Sequence, residues 1–228
     1  FEKGRRERTM RYAAIGNGDA LAAALAAPAW QPRHFLECGG HLMFVRGDYP
    51  LRLAEVAFVK VGAVSGADAL YADPVRGNRD FVCSSTVSSG ETRRMIWSEP
   101  GEPPPPALLP HKARLLARRV ARFGESNWWM WGRQHFRSAR PRVYVNGKTR
   151  VARPFFLHAC TDYDGAVLAV FPHRTDVALE AFRDALNQVD WAELGFVCDG
   201  RFLFTQRSLE NAPLPAAFEA FLPPPMAA

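Results

Sequence analysis

The chain has 228 residues, 48% of them hydrophobic and 23% charged, with a formal net charge of +6. That length accommodates one large domain or two small lobes around a real core. It contains no run of eighteen apolar residues, and the charged start FEKGRRERTMRY leads into no apolar stretch, so neither a membrane span nor a secretory leader is expected.

The chain opens at Phe1 rather than Met and is expected to be a fragment of a longer protein. Residues 17–27 (NGDALAAALAA) predict a short helix capped by Asn17 or Asp19. Strands are predicted at Leu42–Val45, Val56–Val64, Phe81–Val82 and Arg93–Trp97, between clusters of Gly, Asp, Pro and Ser. Ser98–Pro106 (SEPGEPPPP) excludes regular structure, because each proline lacks an N–H and fixes φ. It is a linker between lobes or a long loop on one domain. The reading places a β-rich lobe over residues 1–97, the proline-rich segment over 98–107, and a basic lobe of helix and hairpin over 108–228.

A helix is predicted after the prolines, with Pro110 in its first turn and Leu115, Leu116, Val120 and Phe123 on one face. Arg114, Arg118, Arg119 and Arg122 fall mainly on the other faces, and Gly124 is the stop. Arg142–Val145, Asn146-Gly147 and Lys148–Ala152 predict a hairpin, since Asn-Gly accepts the positive φ of a type I′ turn. Strands at Phe155–Ala159 and Ala166–Phe171, a helix over Asp176–Val189 capped by Thr175, and a second hairpin around Asp199-Gly200 follow. The sum is α+β: antiparallel strands and hairpins with a few helices. A doubly wound nucleotide-binding sheet is excluded, because no βαβ alternation with a glycine-rich first turn is present.

Signatures of catalysis are missing. Gly16-Asn17-Gly18 is a lone GxG better explained by helix capping, and GxxxxGK[ST], HExxH and GxSxG do not occur. His34, Cys38 and His41 lack a second close ligand pair, so no metal is expected. Cys38, Cys83, Cys160 and Cys198 form no CxxC pair and read as reduced thiols of a cytoplasmic protein.

The distribution of charge is more informative than its sum. His111–Arg153 carries twelve basic residues and one acid, Glu125, for a net +11, whereas Asp176 to the end is net −5. Such polarisation points to a polyanion partner. Arg114, Arg118, Arg119 and Arg122 are candidates for phosphates, Arg137 carries a guanidinium fork that reads base edges, and Lys148 and Arg150 are cations of the predicted hairpin. Ser126, Asn127, Arg133 and Gln134 have the groups that read base edges, and Trp128 is a candidate for stacking. At least one of Trp128, Trp129 and Trp131 is expected in the core. The Asn146-Gly147 hairpin either enters a groove or is purely structural.

Three stretches carry a resemblance. Phe58–Asp68 (FVKVGAVSGAD), followed by Ala69, Leu70 and Tyr71, is similar to the strand and turn that open the target-recognition part of adenine-specific (N6, amino-group) DNA methyltransferases of restriction–modification systems. Glu125–Arg133 (ESNWWMWGR) resembles an aromatic segment of the same group, and Thr205–Pro215 (TQRSLENAPLP) resembles their carboxyl ends. The glycine-rich S-adenosylmethionine loop and the Asn-Pro-Pro-aromatic tetrapeptide of that family do not occur. The resemblance therefore implies a DNA-binding target-recognition region with no cofactor of its own. Its methyltransferase domain, with S-adenosylmethionine, would lie amino-terminal to Phe1 or in a partner chain, and its partner would be double-stranded DNA. The Ser65-Gly66-Ala67-Asp68 turn either touches DNA or only closes its strand, with Asp68 read as structural. A nuclease subunit and a protein-interaction domain are the alternatives. The first needs clustered carboxylates that the basic stretch lacks, and the second would bind through a tryptophan hot spot insensitive to salt.

Overall fold

The computed structural model describes residues 9–13, 15–26, 31–38, 40–118 and 123–224. Strands β1 (Thr9–Tyr12), β2 (Gln31–Cys38) and β3 (His41–Val45) form an antiparallel sheet in that order, with helix α1 (Gly18–Ala26) between the first two. Asn17 caps α1, its Oδ1 accepting from the Ala20 N–H at 2.8 Å. The short β4 (Leu51–Arg52) and the single turn α2 (Leu53–Val56) feed β5 (Ala57–Val61). Then come α3 (Asp68–Tyr71), β6 (Arg79–Phe81), α4 (Thr86–Ser89) and β7 (Arg93–Met95), with β6 paired to β7. The proline-rich segment runs into a 3-10 helix, Pro106–His111, and then α5 (Lys112–Leu116).

The second half holds β8 (Val143–Asn146), β9 (Lys148–Thr149), β10 (Phe155–Phe156), β11 (Val167–Pro172) and α6 (Leu179–Gln188). It closes with β12 (Val197–Cys198), β13 (Arg201–Leu203), α7 (Gln206–Glu210), β14 (Pro213–Leu214) and a 3-10 helix, Ala216–Phe221. The fold is α+β, built on antiparallel sheets. Among the described residues, no helix is long and apolar enough to cross a membrane.

The central sheet has the order β10-β8-β11-β5, so it takes strands from both sides of the proline-rich segment. Successive side chains of a strand point to opposite faces, and here both faces are covered. Val59, Val143, Val145, Leu168 and Val170 face a core closed by Phe182 and Leu186 of α6, with Trp191 and Phe204. Tyr144, Val167, Ala169 and Phe171 face the other way, onto Val82 and Tyr163. That is why the strands read as nearly continuous apolar runs. The free edge of β5 is blocked by α7, where the Glu210 carboxylate accepts the Val59 N–H at 3.1 Å. A third core lies beyond β5, where Tyr71, Phe81, Met95, Trp97, Trp128 and Trp131 pack with Leu108 and Leu115.

Several elements differ from expectation. Asn146-Gly147 does not turn a hairpin: β8 pairs with β10 and β11, while β9 pairs with β13 in a different sheet. The Asn146 side chain is buried and donates to the Ser84 carbonyl at 2.8 Å. Gly147 donates to Ala166 and accepts from Phe204, both at 2.8 Å. Tertiary pairing on both sides overrides the local turn preference: Asn146 ends β8, and Gly147 is a bend without a positive φ. Asp199-Gly200 does turn, with φ of 52° and 64°, as a type I′ hairpin requires. The helix read through Phe123 is a 3-10 helix plus five α-helical residues ending at Leu116, and Val120 lies outside the described residues. Helix α6 starts at Leu179 with Ala178 at its cap, so Thr175 does not cap it.

Candidate nucleic-acid interface

Three strand ends meet at one end of the central sheet. The antiparallel register brings the exit of β5, the entry of β11 and the exit of β8 together, through the pairs Leu168–Val61 and Val167–Asn146. The loops there are Gly62–Ala67, Gly147–Arg150 and Asp164–Ala166, so this end is built mainly from small residues. Their closeness explains the glycines: a Cβ at Gly62 would lie 2.0 Å from the Asp164 carbonyl oxygen, and one at Gly165 would lie 2.6 Å from Val64 Cγ2.

The stretch after β5 is fixed by Glu125–Arg133. Val64 and Arg133 exchange both backbone hydrogen bonds, at 2.9 and 3.0 Å. The Arg118 guanidinium binds the carbonyls of Ser65, Trp128 and, at 3.1 Å, Met130, and it covers the Phe123 ring at 4.1 Å. The Tyr71 hydroxyl donates to the Trp129 carbonyl at 2.9 Å. Within the turn, the Ser65 hydroxyl donates to the Asp68 carboxylate and accepts from the Ala67 N–H at 3.0 Å, so Asp68 closes the turn. Thr205–Pro215 supports the same strand from its far side through α7, and through β14 paired to β4.

One buried acid sits at this end. Burial pushes the Asp164 carboxyl up to about 6; the Ala166 N–H it accepts works against this, Asp68 adds to it, and Arg93 lowers it. Nearby, burial would raise Asp162, but the His135 hydrogen bond and the charges of His135, Arg79 and Arg137 outweigh it and hold the carboxyl low.

The basic stretch divides into inward-turned, ion-paired and exposed cations. Arg118 is turned inward, and Trp128 is 2% exposed inside the third core, so neither reaches a ligand at the surface. Arg140 and Arg142 bind backbone carbonyls, of Pro172, His173 and Thr161 among others. Arg137 forks onto Glu99 at 2.7 and 2.9 Å, while Lys112 pairs with Glu125 and Arg153 with Asp184. Arg114, Arg133, Lys148 and Arg150 are exposed and make no ion pair among the described residues; Arg133 makes one long contact, 3.5 Å, to the Gly62 carbonyl. Arg119 and Arg122 lie outside the described residues. Lys148 and Arg133 flank the small-residue loops, Lys148 next to Gly147 and Arg133 paired with Val64.

Ser126, Asn127 and Gln134 are brought together in a cleft of about 580 Å³, against Trp129, Phe123 and the proline-rich loop at Pro100–Pro103. The indole N–H of Trp129 donates to the Glu102 carbonyl at 3.1 Å. The contribution of the proline loop, Glu102 and Pro103, was invisible in the sequence, where only its irregularity could be read. Among the described residues, no three His, Cys, Asp or Glu side chains cluster as metal ligands. Cys38 donates instead to the Asn211 carbonyl. The arrangement offers exposed cations, loops of small residues and a polar aromatic cleft. Compared with known proteins, the chain matches no protein-family model and no curated sequence.

Proposed function

We propose that this chain is the target-recognition region of a site-specific adenine-N6 DNA methyltransferase, gripping duplex DNA while a catalytic domain elsewhere performs the transfer. The observation that carries the reading is the joining of Phe58–Asp68 to Glu125–Arg133. Two stretches far apart in sequence, each similar to a motif of that family, meet through the Val64–Arg133 bridge and Arg118, with the third stretch behind them. Arg133 ends the second of these stretches, Lys148 and Arg150 lie in the loop after β8, and Arg114 lies in α5; all four are exposed, and the loops are small enough for close approach to a phosphate backbone. Arg114, Arg133, Lys148 and Arg150 are assigned to phosphates, and Ser126, Asn127 and Gln134 to bases. S-adenosylmethionine belongs to the catalytic domain of this proposal, in the longer protein or a partner chain. A cytoplasmic setting, with the four cysteines as free thiols, is part of the same proposal.

The test is a titration of the chain with labelled random-sequence duplex DNA, for wild type and for Arg114→Ala and Arg133→Ala. Binding weakened severalfold by each substitution is expected. No binding, or binding indifferent to both, sinks the reading. Methyl transfer from labelled S-adenosylmethionine by this chain alone would contradict the placement of catalysis elsewhere.

A further inference from the structure

We infer that the cleft between the proline-rich loop and the Trp129 segment takes the guanidinium of an arginine side chain presented by a partner polypeptide, a role that goes beyond DNA binding and does not require it. The cleft, about 580 Å³, is lined by aromatic rings, prolines and neutral polar groups, and among the described residues Glu102 is its one charged side chain. An acidic and aromatic lining disfavours a phosphate and attracts a cation.

A filled example of the same pairing lies at the start of the proline-rich segment. There the Trp97 indole N–H donates to the Glu99 carboxylate at 2.9 Å. The Arg137 guanidinium lies 5.0 Å from the centre of that indole and forks onto the same carboxylate at 2.7 and 2.9 Å. Arg79 reaches the same ring at 5.3 Å and the same carboxylate at 3.3 Å. Further along the segment Glu102 meets a second indole, since Trp129 donates its N–H to the Glu102 carbonyl at 3.1 Å. Trp129 is steadied from behind by the edge-on ring of buried Trp128, at 5.6 Å. The Glu102 carboxylate is held by the Glu99 N–H at 2.7 Å. Among the described residues, Glu102 makes no ion pair and no cation covers the Trp129 ring.

The geometry favours a guanidinium over an ammonium. A planar, weakly hydrated guanidinium can lie on a single ring face while its edge forks onto a carboxylate. A methylated ammonium is held by a cage of several ring faces. Here the Phe123 ring is already covered by Arg118 at 4.1 Å and Trp131 is buried, which leaves one indole wall. A side chain within a polypeptide also fits better than free arginine. No cation lines the cleft to take the α-carboxylate that free arginine would bring beside Glu102.

The experiment titrates the whole chain with blocked glycine peptides carrying one central arginine, citrulline or lysine, and with free arginine. The Trp129 indole N–H is followed by NMR and assigned by its loss in Trp129→Phe. The arginine peptide is expected to move that signal with a Kd of about 1 mM. Citrulline, which keeps the shape without the charge, should bind about tenfold more weakly, and lysine and free arginine severalfold more weakly. Glu102→Gln, at an exposed loop position that folding tolerates, should weaken the arginine peptide about fivefold. A signal that the arginine peptide leaves unmoved at about 20 mM, or that citrulline moves equally well, overturns the inference. Lysine bound as tightly as arginine overturns the guanidinium assignment, and an unchanged affinity in Glu102→Gln overturns the role of that carboxylate. Free arginine bound as tightly as the peptide overturns the polypeptide source. No duplex enters the titration, so each of these outcomes leaves the DNA reading where it stood.

Discussion

Arg114 and Arg118 lie one helical turn apart and have opposite roles. Arg118 binds the carbonyls of Ser65, Trp128 and Met130, the last of which also accepts from the Tyr71 hydroxyl at 3.4 Å. Arg118→Ala should cost about 2–4 kcal/mol, because hydrogen bonds from a charged donor are strong and these carbonyls lose one each. Arg114→Ala should stay within about 0.5 kcal/mol of wild type in urea while weakening DNA binding. Asp164 gives a residue-scale prediction with a sign. Its folded carboxyl is raised from 3.8 to about 6. The folded state therefore holds a proton that the unfolded chain releases, and this contribution to stability is present below pH 3.8 and lost as pH rises through about 6. Asp164→Asn keeps an oxygen for the Ala166 N–H and should be more stable than wild type at neutral pH, by on the order of 3 kcal/mol. The advantage should shrink towards zero in urea melts at about pH 4; an advantage independent of pH would contradict the assignment. Gly62→Ala should destabilise by at least 1–3 kcal/mol, roughly the cost of overpacking, since the obstructing atoms are backbone. Gly124→Ala, with open space around its Cβ, is the control.

At the scale of elements, the amino-terminal sheet meets the body through Val45, buried in the main core with Leu36 and Met43 packed against it, and through a buried ion pair. Arg33 of β2 meets Glu193, whose carboxylate also accepts from the Tyr49 hydroxyl at 3.1 Å. Removing one partner strands the other charge, so Glu193→Ala should cost about 3–5 kcal/mol and release protection of β1–β3 in hydrogen exchange. Protection unchanged in that sheet would show that the pair is not its anchor. The elements legible from sequence were those whose local signal agreed with their surroundings. Strands β5 and β11 carry apolar residues on both faces and could be read, and so could the Asp199-Gly200 turn. Asn146-Gly147 has an equally good turn signal, yet β9 is drawn to β13 and the buried Asn146 to Ser84. Which strand lies beside an Asn-Gly pair depends on distant residues, and spacing does not carry it.

At the scale of the molecule, charge along the sequence is not charge in space. The acidic tail partly neutralises both other regions, Asp184 pairing with Arg153 and Asp190 with Arg46. Within the basic stretch, internal carbonyls take up Arg118, Arg140 and Arg142. The sequence could show that a cationic surface existed, but not which cations remained on it, because an arginine facing a carbonyl and one facing solvent are spelled alike. The same holds for Trp128, read as a stacking residue and found in the core, and Trp129, which reaches the cleft. The central claim is that the exposed cations grip DNA phosphates, and the salt dependence of duplex binding tests it most directly. With Arg114, Arg133, Lys148 and Arg150 engaged, log K should fall against log salt between about 50 and 200 mM with a slope of roughly −3 to −4, and removing any one should reduce the slope by about 1. Duplex binding with a flat salt dependence, or a slope untouched when all four are removed, would contradict the account.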